Sequence, residues 1–193
     1  RVEPISSPLQ PHDRFWLEFQ GGWRLILNDT RKFGRIWLTA DPQAALAGLG
    51  PEPLEDAFTA ESFTCQLQAR HRLIKPLLLD QSFLAGLGNI YTDEALHRAG
   101  IHPLRSADSL TPAEAARLWA AIRAVLTAGI KHNGASIDWV YRGGGFQNHF
   151  QVYGRAGQAC PTCGHPVQRM VVGQRGTHLC PFCQPLAGDP NPT

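Results

Sequence analysis

No run of the 193 residues is long and apolar enough to cross a bilayer as a helix, and none has the make-up of a signal peptide. A helical membrane span is therefore not expected, and a reducing, cytoplasmic setting is. Charge of one sign is also missing: 18 basic and 16 acidic side chains leave a formal net charge of +2, which by itself does not argue for nucleic acid. Lysine is scarce, since fifteen of the eighteen cations are arginine. That bias reflects either phosphate recognition or a codon preference. Methionine occurs once and not at the start. Cysteine occurs only five times, too rarely for a disulfide scaffold. What remains, 43% hydrophobic and 18% charged, is ordinary for a globular protein of one large or two small domains.

Four of the five cysteines are concentrated in one place. Cys160 and Cys163 form one Cys-x-x-Cys pair, Cys180 and Cys183 another, and sixteen residues separate them. That spacing suits a single tetrahedral zinc ion held by four thiolates, closed and structural because no ligand position is left open. Two-residue cysteine loops are poor disulfides, and pairing these four would still leave Cys65 over. Cys65 is read as a small buried hydrophobe. Between the pairs, residues 168–172 are strand-like and Gly173 to Gly176 supply a tight reversal, so a β-hairpin with Gln174 and Arg175 at its tip is expected. So short a hairpin buries no core of its own, and metal binding supplies its folding energy. Arg175 is then either a solvated charge or a rigidly mounted probe for an anion. Residues 131–193 carry five basic and two acidic side chains against thirteen and fourteen in residues 1–130, so the metal end is the basic end.

Upstream, residues 15–19, 23–27 and 35–38 read as three strands of a meander, rich in Trp, Phe and Leu with nothing evident to cover them. The chain is therefore expected to be the C-terminal part of something longer. A Pro-rich connection at residues 50–54 leads to helical patterns at 59–69, 75–80, 89–98 and 112–131. The last is the best marked: Thr111 with Glu114 makes a capping box, Pro112 takes the first helical position, and Leu118, Trp119, Ile122, Val125 and Leu126 form one apolar face. In residues 79–103 a Gly-Leu-Gly turn separates two helices. Asn89 is expected to cap the second, either as a plain cap or as part of a phosphate-accepting helix N-terminus.

"IKPLLLDQSFLAGLGNIYTDEALHRAGIHP", "GPEPL", "QVYGR" and "GQRGTHLC", taken in order, resemble the formamidopyrimidine-DNA glycosylase and endonuclease VIII family from about His12 to Gln184. The resemblance implies an α+β fold: the end of a β-sandwich domain with its linker (1–54), a helix–two-turn–helix DNA-binding domain (55–150), a zinc-finger β-hairpin (151–185) and a disordered tail (186–193). It implies a monomeric, nucleoid-associated enzyme of base excision repair, acting on double-stranded DNA that contains oxidised bases or abasic sites. Such an enzyme flips the base out, excises it and nicks the strand through a Schiff base. By the same resemblance His12, Arg70, Lys75, Asn89 and Arg175 contact DNA, and Arg31 and Phe33 enter the gap left by the flipped base. Arg175 also stabilises the leaving phosphate electrostatically, and Cys160, Cys163, Cys180 and Cys183 hold one structural Zn2+. The glycine-rich residues 136–150, where purine-type members carry a loop over the flipped base, favour 8-oxoguanine and formamidopyrimidines. Pyrimidine preference of the endonuclease VIII kind, or a non-catalytic binder of damaged DNA, are the alternatives. The chain departs from the family in opening Arg1-Val2-Glu3-Pro4 rather than on the proline nucleophile followed by glutamate. Residues 1–193 alone are accordingly expected to give no borohydride-trapped adduct with an abasic duplex; a covalent band on a denaturing gel would contradict this.

Overall fold

Residues 1–136 and 143–186 are described by the computed structural model, in two compact units that divide between Leu46 and Ala47. The first holds an antiparallel sheet of β1 (Val2–Pro4), β2 (Asp13–Phe19) and β3 (Trp23–Asn28) in the order β1-β3-β2. β2 and β3 reverse through Gln20-Gly21-Gly22, where both glycines take positive φ (96° and 79°), a conformation other residues enter at a cost. The expected third strand at 35–38 does not form, and β1 takes the third place. Both edges of β3 are occupied by β1 and β2, and residues 35–38, with no strand partner among the described residues, leave Trp37 and Leu38 exposed. Phe15, Trp16, Leu17, Phe19 and Trp23 are exposed too, so three strands do not close a core. A short helix, α1 (Pro42–Leu46), not anticipated from the sequence, starts where the Asp41 carboxylate accepts the N–H groups of Gln43 and Ala44.

The second unit carries the helices and the hairpin. α2 (Ala60–Gln68) begins at Thr59, whose hydroxyl accepts the Ser62 N–H, and buries Phe63 and Leu67. Residues four apart share a face, so Cys65, two positions from each, points outward and is exposed rather than buried. α3 (Ile74–Leu78) and α4 (Asn89–Ala99) flank the glycine turn, and α5 (Pro112–Lys131) starts with the full capping box of Thr111 and Glu114. Its Leu118, Ile122 and Val125 pack into the core with Phe63, Ile74 and Leu96. Gly129 of α5 is required by its neighbour: a Cβ there would stand 2.5 Å from the Tyr91 ring of α4. Short 3-10 turns at Ala107–Ser109 and Phe146–His149 complete this body. Residues 50–54, read as a connection, are built into it. Gly50 N–H bonds the Gln81 carbonyl, Pro51 accepts from Ala85 N–H, and the Arg123 guanidinium donates to the Pro53 carbonyl. β4 (Gln168–Val172) and β5 (Arg175–Leu179) form the hairpin, joined by Gly173 and Gln174, both at positive φ. Arg175 is therefore the first residue of β5, one past the turn. Residues 187–193 of the tail expected at 186–193, and the centre of the glycine-rich stretch at 136–150, lie outside the described residues.

The turn between α3 and α4 is fixed by side chains. Asp80 accepts the Ser82 hydroxyl at 2.6 Å, the Arg72 guanidinium at 2.8 Å and the Ser82 N–H at 3.1 Å, which together pull its carboxyl down to about 2. A depressed carboxyl contributes stability above its unfolded value near 3.9 and loses it as pH falls toward about 2. Thermal midpoints should therefore fall less steeply between pH 4 and 2 in Asp80→Asn than in the unaltered chain, a difference that scanning calorimetry at stepped pH would resolve.

Candidate nucleic-acid interface and metal centre

α4 opens without a side-chain cap. Its N-cap is Gly88, not Asn89, so the first N–H groups of the helix are left to other partners and the Asn89 side chain is released from capping. That amide instead donates to the Gly176 carbonyl at 2.9 Å, on the residue next to Arg175. The helix N-terminus and the hairpin thus meet, and the exposed Arg175 stands beside them with no ion pair among the described residues. Gly173 of the turn lies against the Pro76 ring of α3, so the fingertip rests on both helices.

Lys75, expected to contact DNA, is turned inward. Its ammonium is fully buried, and its three donors are used by Asp93 Oδ1 (2.6 Å), Thr177 Oγ1 (2.7 Å) and the Gly176 carbonyl (3.1 Å). With all three donors engaged, it fastens the finger to α3 and α4. Burial pushes this ammonium below the ordinary lysine value, against the pull of Asp93. The other expected contacts are exposed. Arg70 lies just past α2, and Arg31 lies 5.6 Å from the Phe33 ring centre in the first unit. There the Asp29 carboxylate gathers the N–H groups of Arg31, Lys32 and Gly34, leaving the Phe33 ring 77% exposed and in no core. His12, at φ 74°, precedes β2 in the same unit, its ring 3.3 Å from the Arg14 guanidinium.

Sequence reading missed the groups that mount the finger. Asp93 also accepts the His178 N–H at 2.9 Å. Its neighbour Glu94, nearly buried, accepts three backbone N–H groups, from Gln151, Val152 and Tyr153. Adjacent helical residues point about 100° apart, so one acid pair holds two segments. The signal was present: two acids in the middle of a helix that is otherwise mostly buried.

The sulfurs of Cys160, Cys163, Cys180 and Cys183 lie within 4.8 Å of one another, with Cys163 and Cys180 at 3.4 Å and Cys160 and Cys183 at 3.9 Å. Zinc–sulfur bonds of about 2.3 Å in a tetrahedron require sulfurs about 3.8 Å apart, so the cluster fits one structural zinc. Burial opposes ionisation of Cys160, yet the Thr162 and Cys163 N–H groups and the His97 ring overcome it and bring the thiol down to about 6. Burial pushes the Cys183 thiol up, which a divalent ion would reverse. His97 of α4, 3.4 Å from Cys160 Sγ, ties the knuckle to the helical body.

A zinc-clamped hairpin docked on an uncapped helix beyond a glycine turn defines a helix–two-turn–helix, zinc-finger protein of the nucleic-acid-binding class. Residues 49–140 match the formamidopyrimidine-DNA glycosylase H2TH domain, and residues 157–186 match the zinc finger found in FPG and IleRS. The formamidopyrimidine-DNA glycosylase of Pelotomaculum thermopropionicum is 48% identical over 189 residues, 93% of this chain and 68% of that protein. That of Deinococcus radiodurans is 46% identical over 191 residues, 93% of this chain and 67% of that protein. The crystal structure of the Thermus thermophilus Fpg protein superposes with a TM-score of 0.83 at 44% identity, covering 92% of this chain and 70% of that one. The Lactococcus lactis Fpg in complex with DNA containing an abasic site gives 0.89 at 37%, covering 96% and 71%. The chain belongs to the formamidopyrimidine-DNA glycosylase family.

Replacing Cys180 with alanine should take zinc content, read by plasma mass spectrometry, from one ion per chain to none. The hairpin should unfold with it, because the metal supplies on the order of 10–16 kcal/mol in isolated modules of this kind.

Proposed function

We propose that the protein is a base-excision-repair DNA glycosylase with abasic-site lyase activity, taking oxidised purines from duplex DNA. In this reading residues 1–193 supply its grip on the damaged strand. Arg175 and the α4 N-terminus with Asn89 hold phosphates on either side of the extruded nucleotide. Arg70 and His12 add further backbone contacts, and Phe33, carried with Arg31 on the turn organised by Asp29, fills the vacated stack. Filling that void offsets an unstacking cost of about a few kcal/mol. Arg175 then stabilises the leaving phosphate during strand cleavage, by charge rather than by giving up a proton, which a guanidinium does poorly.

The observation that carries the reading is the 2.9 Å bond from the Asn89 amide to the Gly176 carbonyl. A cation and a bundle of free N–H groups fastened side by side can reach neighbouring phosphates of one strand. Preference for oxidised purines is supported by the relatives' own name. It is supported too by solved relatives bound to DNA carrying N7-benzyl-Fapy-dG or carbocyclic 8-oxo-G. The same names weigh against pyrimidine preference and against a non-catalytic binder. Among the described residues no helix is long and apolar enough to cross a membrane. In this reading the protein acts as a monomer in the cytoplasm.

Affinity for an abasic-site duplex should fall with salt, with a log–log slope of about 0.9 per phosphate neutralised, and Arg175→Ala should lower that slope by about one. Fluorescence anisotropy from 50 to 200 mM salt measures both, and an unchanged slope removes Arg175 from the phosphate contacts.

A further inference from the structure

We infer that Asp93 is a positioning residue for the finger: with Lys75 it sets where Arg175 stands, without touching the bound strand. This rests on the reading of Arg175 as a phosphate contact.

Three consecutive residues follow Arg175 in β5, and each is tied to the Lys75–Asp93 pair. Gly176 is held through its carbonyl by Lys75 Nζ, Thr177 through its hydroxyl by the same nitrogen, and His178 through its N–H by Asp93 Oδ2. Thr177 Oγ1 also lies 3.1 Å from the Arg175 carbonyl, to which it donates, so the chain of bonds runs back to the arginine itself. Both members of the pair are fully sealed from solvent, one on α3 and one on α4, so two helices fix the exit of one strand.

Stability alone does not account for such a pair. Two apolar side chains of similar volume would fill the same space at equal or lower free energy, because removing both charges from water costs several kcal/mol per ion. What an ion pair adds is direction. A carboxylate accepting along two axes and an ammonium donating along three fix rotation and register together, which methyl groups do not. The pair also settles the charge beneath the fingertip. Arg175 and Lys75 are near enough for their charges to oppose each other, and Asp93 cancels the buried one. The exposed Arg175 guanidinium is left to face a phosphate, with the exposed Arg169 guanidinium lying nearby against Gly176.

Positioning and bulk charge predict opposite results for one substitution. Asp93→Asn makes the protein one unit more positive, and by charge alone it would bind DNA more tightly. If Asp93 positions Arg175, the same variant binds an abasic duplex about tenfold more weakly, the loss of one charge-assisted hydrogen bond. Its salt slope then falls by about one, as in Arg175→Ala, and the double variant Asp93→Asn with Arg175→Ala falls no further than Arg175→Ala alone. A second pair, Lys75→Met with Asp93→Leu, keeps the packing and removes the direction. It should retain zinc and a cooperative thermal transition yet show the same reduced slope. Unchanged or tighter binding in Asp93→Asn, while Arg175→Ala still lowers the slope, overturns the inference and leaves the phosphate reading standing. No effect of Arg175→Ala overturns both. Zinc loss or failure to fold in Asp93→Asn and in the Met/Leu pair alike would show that the ion pair only holds the finger together, and would also overturn it.

Discussion

A lysine with every proton spent, walled in by two helices and a strand, is the junction on which the second unit turns. Lys75 brings to one point α3, α4 through Asp93, and β5 through Gly176 and Thr177. Breaking a buried pair from one side leaves an uncompensated charge at a cost of about 3–5 kcal/mol, which gives the contact weight beyond its bond count. Around it the other fastenings fall into place. Asn89 reaches the same carbonyl as Lys75, Glu94 gathers the chain that leads into the finger, and His97 and Gln184 lock the cysteine knuckles to the helical body.

These bonds answer a problem set by the finger's size. A two-stranded hairpin has almost no core, and Val152, Cys160, Val167 and Cys180 make a small apolar cluster at its base. Zinc closes its base, but a closed base alone leaves the module free to swing. Polar side chains from α4 fix its orientation, and they do so at its base, along β5 and at the segment leading in. The arginine at the fingertip thereby gains a fixed address without being held itself, so its own donors remain available.

Much of this was legible in the residues. The thiolate spacing, the hairpin at 168–172, the capped helix at 112–131 and the helix at 59–69 are local, with caps, periodicity and spacing written within a few positions. What was not legible depended on distant partners. Lys75 resembles a family contact, yet it sits in the apolar run Ile74, Leu77, Leu78, where a lysine has to be buried with a partner, and that partner comes eighteen positions later. Asn89 has a capping side chain, but Gly88 takes the cap, and only the finger's carbonyl explains where the amide goes. Residues 35–38 have strand character and no free edge of β3 to join. Cys65 is apolar enough for a core, while the phase of α2, set by Phe63 and Leu67, turns it away.

That outward turn of Cys65 has a practical side. Four of the five thiols converge on one metal centre, which leaves a single exposed thiol, on a helix and among Ala60, Glu61, Pro112 and Ala116. None of those neighbours is among the proposed contacts with DNA. With zinc bound, a maleimide dye would find one attachment point, so the molecule carries its own handle for watching individual encounters with a damaged duplex.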